Sequence, residues 1–221
     1  MGNLIAHVPE FPSWPGSPPP GGPAPGGPEP GPLPPTRVWL DPGAGWQDKV
    51  YERLLEQRVV LASGVLDETA ATRLSAQLLT LDAEGASPVR LELQNLQAEL
   101  PAALTLMGVL DVVRAEVQAF AGGEIGGPAL GVLASCPRRL AYPNASFTIS
   151  EPKLRFSGTA TEVSAREQQA RRMVDSLVYR IAEATGREAD DIRQDARRVR
   201  ALTVAEAIGY GLIHDRAAKR T

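Results

Sequence analysis

The sequence predicts an α/β fold with parallel strands and crossover helices, preceded by a disordered tail rich in proline and glycine. Two observations carry this prediction. Strands and helices alternate between residues 59 and 113, and 13 prolines fall among the first 35 of the 221 residues. Parallel strands need crossover connections, which are usually helices. The proline distribution sets a boundary, so we predict a tail over residues 1–36 and one folded domain over residues 37–221.

The predicted tail has little apolar surface and contains no lysine or arginine. Such a segment cannot offset the entropy of ordering itself, so we expect a disordered or polyproline-like extension. Its aromatic residues Phe11 and Trp14 leave open a docking motif, although a plain solvated tail is the simpler interpretation.

The remaining composition narrows the class of protein. A net charge of -3 gives no electrostatic reason to expect nucleic acid or an anionic membrane as a partner. The sequence lacks a long apolar run and a basic, apolar leader, so we expect neither a membrane span nor a secretory signal. The single cysteine, Cys136, excludes an internal disulfide and favours a cytoplasmic location. We interpret Cys136 as a small apolar residue rather than a reactive thiol.

Apolar spacing and capping residues place the individual elements. Asp67 can cap one helix, and Thr159 with Glu162 and Thr203 with Glu206 form capping boxes for two others. In chain order we predict strands over 37–40, 59–62 and 89–93, strands around Leu140 and Phe147, a loop over 41–48, a short amphipathic turn over 51–58, and helices over 67–85, 101–113, 129–134 and 160–185, from about 189, and from 203 to Gly209 or Gly211.

The chain is organised around two stretches. Residues 122–128 form a glycine-rich turn between a strand and a helix, where the backbone demands glycine. Residues 141–152 form a turn at Pro143 and Asn144 that leads into a short apolar strand. The glycine-rich turn lacks the Lys-Ser/Thr pair of a phosphate-binding loop and the GxGxxG spacing, so nucleotide binding is not expected and no cofactor is predicted.

The chain resembles the proteolytic subunit of the caseinolytic (Clp) protease, a serine peptidase whose rings are capped by ATP-driven unfoldases. Matching pieces include Tyr51-x-Arg53-Leu54-Leu55, Tyr142-Pro143-Asn144-Ala145, Thr185-Gly186 and Glu206-Ala207-x-x-Tyr210-Gly211-Leu212-Ile213. The resemblance implies a ClpP/crotonase-like spiral of repeated strand-strand-helix units. It also implies heptameric rings and a projecting handle helix over residues 160–185.

The same resemblance implies a serine nucleophile, a histidine base, an aspartate and an oxyanion hole. Counting along the match places the nucleophile at Ile125 or Gly126, the histidine at Ser150 and the aspartate at Val199. The oxyanion position falls at Gln97 and Ala98. None of these residues can perform the family's chemistry, so we predict that the chain has no catalytic residues.

A second line of evidence does not depend on the family. The chain has only two histidines, His7 and His214, which are far apart in sequence. They offer few candidates for a histidine-dependent triad and no metal site. The pairs Ser150-Glu151 and Ser135-Cys136 have no base nearby in sequence, and a dyad of Ser150 with Lys153 is a remote alternative.

The leading hypothesis is therefore a non-catalytic, cytoplasmic subunit in a ring with catalytic paralogues or with itself, and an ATP-driven unfoldase is a further possible partner. The tail occupies the place where the family has its axial loops, so it is expected to influence substrate entry or unfoldase docking. Two alternatives stay open: an active peptidase with a rebuilt site, and a stand-alone scaffold protein.

Overall fold

The computed structural model describes residues 46–154 and 157–218. The predicted tail (1–36) and the predicted strand over 37–40 lie outside the described residues. The elements in chain order are α1 (Trp46–Glu56), β1 (Val59–Leu66), α2 (Glu68–Glu84), β2 (Val89–Ala98), α3 (Leu100–Val112), β3 (Val117–Gly122), β4 (Glu124–Gly126), α4 (Ala129–Ala134), β5 (Arg138–Ala141), β6 (Ser146–Ile149), α5 (Ala160–Thr185), α6 (Ala189–Arg197), β7 (Arg200–Thr203), α7 (Val204–Tyr210) and β8 (Asp215–Arg216).

The strands form two sheets. The larger has five strands in the order β1-β2-β3-β5-β8, and every pair in it is parallel. The smaller has the order β4-β6-β7, in which β7 runs antiparallel to β6. This architecture confirms the predicted α/β class with parallel strands and crossover helices.

The larger sheet has one apolar face and one mixed face. Along β2 the side chains alternate, with Leu91 and Leu93 fully buried while Arg90 and Glu92 are half-buried. The buried face joins α2 and α3 in one hydrophobic core. Because successive strand residues point to opposite faces, this alternation follows directly from the sequence Val89–Ala98.

The predicted caps are confirmed. The Asp67 carboxylate accepts a hydrogen bond from the Ala70 amide at 2.8 Å, and both predicted capping boxes are present. The predicted long helix, α5, has 26 residues and ends at Gly186, whose φ of +67° is left-handed. Residues 164–169 are exposed on all sides, so the first half of α5 projects from the body.

Several element boundaries differ from the sequence predictions. The end of the predicted loop over 41–48 and most of the predicted turn over 51–58 belong to one helix, α1. The last helix does not stop at Gly209 but at Tyr210, with the predicted limit Gly211 as its left-handed cap. β1 and β2 run further than predicted, and β3, β4, β7 and β8 were not predicted as separate elements. The shortest strands have two to four residues and are fixed by partners distant in sequence.

Arg139 connects three helix ends inside the protein. It is 6% exposed, and its guanidinium donates to the carbonyl groups of four residues, at 2.8 to 3.2 Å. These acceptors are Cys136 after α4, Ala184 in the last turn of α5, and Gly211 and Leu212 after α7. Helix C-termini carry partial negative charge and unpaired carbonyl groups, so a buried cation here is well stabilised.

Candidate functional site

The glycine-rich turn places Gly127 between β4 and α4. Gly127 has a left-handed φ of +55°, and its amide donates to the Thr148 carbonyl at 3.0 Å. A β-carbon added at Gly127 would lie 3.6 Å from the Ser150 hydroxyl oxygen, which is an ordinary contact distance. A side chain at position 127 would therefore face Ser150 across the turn.

The two positions predicted for the nucleophile do not face Ser150 in this way. Ile125 is completely buried in the core, and a β-carbon on Gly126 would meet the Gln97 side-chain amide at 2.8 Å. The pairing of β4 with β6 fixes both orientations, because it places Ile125 beside Phe147. Of the residues in the turn, Gly127 is the one whose added β-carbon would face Ser150, and counting along the sequence did not single it out.

Ser150 and Val199 lie at the same end of one strand pair. β6 and β7 are antiparallel, and their last pair joins Ile149 to Arg200. Ser150 directly follows Ile149 at the end of β6, and Val199 directly precedes Arg200 at the start of β7. The structure thus brings together the positions that the resemblance assigns to the histidine and the aspartate, with no ionisable group at either.

Val199 has an unusual backbone. Its φ is +53° and the residue is 60% exposed. A β-branched residue in the left-handed region is strained by about 1–3 kcal/mol, whereas glycine, asparagine and aspartate tolerate it. Strain of this kind is common at functional sites, and here it persists at a position that carries no functional side chain.

Gln97, Ala98, Gly127, Ser150 and Lys153 line a single cleft of about 520 Å³. The structure therefore brings the predicted oxyanion position to the glycine-rich turn and the histidine position. The Gln97 amide packs over Gly126 and occupies part of the space beside the turn. Besides hydroxyl, amide and aliphatic groups, the lining carries the charged side chains of Glu99, Glu151 and Lys153.

The alternative dyad of Ser150 and Lys153 is only partly supported. Both residues line the cleft, but within the described part of the chain the Ser150 hydroxyl makes no hydrogen bond to Lys153. Glu151, the other neighbour of interest, lies 3.6 Å from the Arg197 guanidinium, and both side chains are largely exposed. No general base is positioned against the Ser150 hydroxyl.

The remaining candidate nucleophiles and bases have structural roles. Cys136 is buried, and burial raises the pKa of its thiol to about 12, so the thiol stays neutral. The Ser135 hydroxyl donates to the Gly131 carbonyl at 2.9 Å, which satisfies the end of α4. His214 accepts a hydrogen bond from the Arg139 amide at the start of β5, and His7 lies outside the described residues.

Neither a metal-binding cluster nor a membrane-spanning helix is found in residues 46–154 and 157–218. No group of three or more histidine, cysteine, aspartate or glutamate side chains in these residues could hold a metal ion. No helix among them combines the length and apolar character needed to cross a membrane.

Comparisons with known proteins agree with this geometry. The family model described as Clp protease matches residues 43–220, which include the glycine-rich turn, Ser150 and Val199. The chain is 27% identical over 174 residues to the ATP-dependent Clp protease proteolytic subunit 2 of Rhodococcus jostii, covering 77% of this chain and 89% of that protein. Since the family model spans most of the sequence, this chain belongs to the Clp protease family.

Proposed function

We propose that this protein is a non-catalytic subunit of a cytoplasmic Clp protease complex, which assembles in a ring with catalytic paralogues. One observation carries the proposal: Gly127 faces Ser150, and Val199 lies opposite Ser150 just beyond the last pair of β6 and β7. Acyl transfer by this family needs a nucleophile and a base within hydrogen-bonding reach. Here the first position has no side chain, the second has a hydroxyl and the third has an isopropyl group.

Two different surfaces of the chain support assembly. Side chains on the mixed face of the larger sheet, including Phe120 and Tyr142, are only half-buried, although parallel sheets are normally covered on both faces. On the exposed side of α3 the one charged residue, Asp111, is paired with Arg180, and the neighbouring Val112 is 68% exposed. Association between unlike surfaces of identical or related chains is heterologous, and it generates closed rings when the rotation closes.

The first half of α5 supplies a third surface. Val163 is half-buried among exposed charged residues such as Arg166 and Glu167, whereas Met173, just beyond this half, packs against the chain's own core. A projecting helix with an apolar stripe is stabilised by a partner that covers the stripe. This surface fits contact between two rings, as the family's handle helix does.

The proposal is tested by combining the purified chain with a catalytic paralogue and measuring the assembly by native mass spectrometry. We expect mixed rings, with peptidase activity that depends only on the catalytic partner. A fluorophosphonate and a fluorogenic peptide applied to the chain alone should give neither labelling nor turnover. A chain that stays monomeric in the presence of every paralogue would instead favour the stand-alone scaffold.

A rebuilt peptidase is the second candidate, because Ser150 and Lys153 share the cleft. It predicts covalent labelling of wild type that is lost in both Ser150→Ala and Lys153→Met. Ser135→Ala is the matched control, since that hydroxyl is engaged with a helix carbonyl and lies outside the cleft.

A further inference from the structure

The C-terminal segment, defined here as residues 214–218, is attached to the edge of the larger sheet by few contacts. Its strand β8 pairs with β5 over only two residues. The His214 amide donates to the Arg139 carbonyl at 2.9 Å, and the Ala217 amide donates to the Ala141 carbonyl at 2.8 Å. Each of these hydrogen bonds is thus a large fraction of what holds the segment in place.

The His214 side chain supplies another of these hydrogen bonds. Its Nδ1 accepts from the Arg139 amide at 3.0 Å, so residues 139 and 214 are joined in both directions. The ring nitrogen takes the place of a strand carbonyl as acceptor. Only neutral imidazole can accept at Nδ1, because both ring nitrogens carry a hydrogen in the imidazolium ion.

The charges around His214 oppose its protonation. Partial burial of the ring, followed by the positive charges of Arg139 and Arg138 on β5, lowers the pKa of His214. On β8 the Asp215 carboxylate accepts from its neighbouring amide, and the Cys136 thiol stays neutral because burial raises its pKa to about 12. The pKa of His214 is therefore held below its usual value, and the ring is neutral at pH 7.

The helices that meet at this corner add no free anion next to the ring. The ends of α5 and α7 present the Ala184 and Gly211 carbonyl groups, both of which accept from Arg139. Arg187, just beyond α5, lies over the Tyr210 ring at 3.9 Å and donates to the Tyr210 carbonyl at 3.2 Å. Protonated His214 would thus face cations without compensation from these elements.

The C-terminal segment also forms one wall of a second cleft, of about 610 Å³. Ala217 and Ala218 line it on one side, with Leu54 of α1 and Tyr142 among the residues on the others. We propose that His214 makes the attachment of β8 to β5 depend on pH. Its neutral ring holds β8 against β5. Protonation of the ring releases the C-terminal segment and removes that wall of the cleft. This inference does not rest on the proposed function.

Hydrogen exchange of the full chain tests the proposal at about pH 7.5 and about pH 5, with rates corrected for intrinsic exchange. We expect the amides of Arg139 and Ala217 to lose protection about fivefold or more at the lower pH, which corresponds to losing one ordinary hydrogen bond. Core amides such as Leu91 should keep their protection. Because the folded pKa is lowered, protection is complete above the usual histidine pKa and falls as the pH drops below it.

His214→Asn is the matched variant, since its side-chain oxygen can accept a hydrogen bond but does not titrate. It should keep the Arg139 and Ala217 amides protected at both pH values, and His214→Phe should leave them unprotected at both. Equal protection of wild type at the two pH values would overturn the proposal. So would an equal loss in His214→Asn, or an equal loss at the core amides, which would indicate general acid unfolding.

Discussion

The two ends of α4 differ in what their side chains do. At its C-terminal end the buried Arg139 guanidinium bonds to four carbonyl groups and joins three helices. At its N-terminal end Gly127 faces a serine hydroxyl, and the nearby Val199 holds a strained backbone. The comparison teaches that a dense hydrogen-bond network joins the helices at one end of α4, while at the other end the side chains facing the turn make no comparable network.

Removing the Arg139 hydrogen bonds at the C-terminal end of α4 should cause the largest loss of stability. Arg139→Met leaves several helix-end carbonyl groups buried without a donor, so we expect a loss of about 3–5 kcal/mol in the free energy of unfolding. Urea denaturation measures this loss. Arg138→Met, at the exposed neighbouring position, should change stability by less than about 0.5 kcal/mol. Equal effects of the two variants would show that the buried network does not stabilise the fold.

Overpacking in the middle of α4 should cause a smaller loss of stability. A β-carbon at Gly131 would collide with Leu177 of α5 and meet the Met107 sulfur at 2.8 Å. Gly131→Ala should therefore cost about 1–3 kcal/mol by overpacking. Gly108→Ala, on the open side of α3 with no atom within 4 Å, should stabilise by about 0.5–1 kcal/mol through helix propensity. Thermal unfolding of both variants measures the contrast, and the same sign for both would contradict it.

Substitutions at Val199, near the N-terminal end of α4, should stabilise the protein rather than destabilise it. Val199→Asn and Val199→Gly relieve a left-handed β-branched residue, so each should raise the free energy of unfolding by about 1 kcal/mol. Val112→Asn is the control, since this exposed valine lies in helical backbone and should gain nothing. If the Val199 variants are no more stable than wild type, the left-handed backbone at 199 does not strain the folded protein.

Much of the fold could be predicted from the sequence because its signals are local. Asp67, Thr159 with Glu162, and Thr203 with Glu206 cap their helices within four residues, as predicted. β7 and β8 could not be predicted in the same way, because such short strands depend on the distant partners β6 and β5.

In the candidate site, too, the features that depend on distant partners could not be predicted from the sequence. Ser150, Gln97 and Ala98 were placed by the resemblance and do line one cleft, whereas the facing residue of the glycine-rich turn is Gly127. That position depends on the pairing of β4 with β6, which counting along the chain does not show. Arg139 was missed for a related reason: nothing near it in sequence signals that three helix ends converge on its guanidinium.

The most direct test of the central claim is the intact mass of the purified wild-type chain after prolonged incubation with a fluorophosphonate. The account predicts an unchanged mass, because no hydroxyl in the cleft has a base positioned to activate it. A single covalent adduct that disappears in Ser150→Ala would contradict the account and establish a working nucleophile.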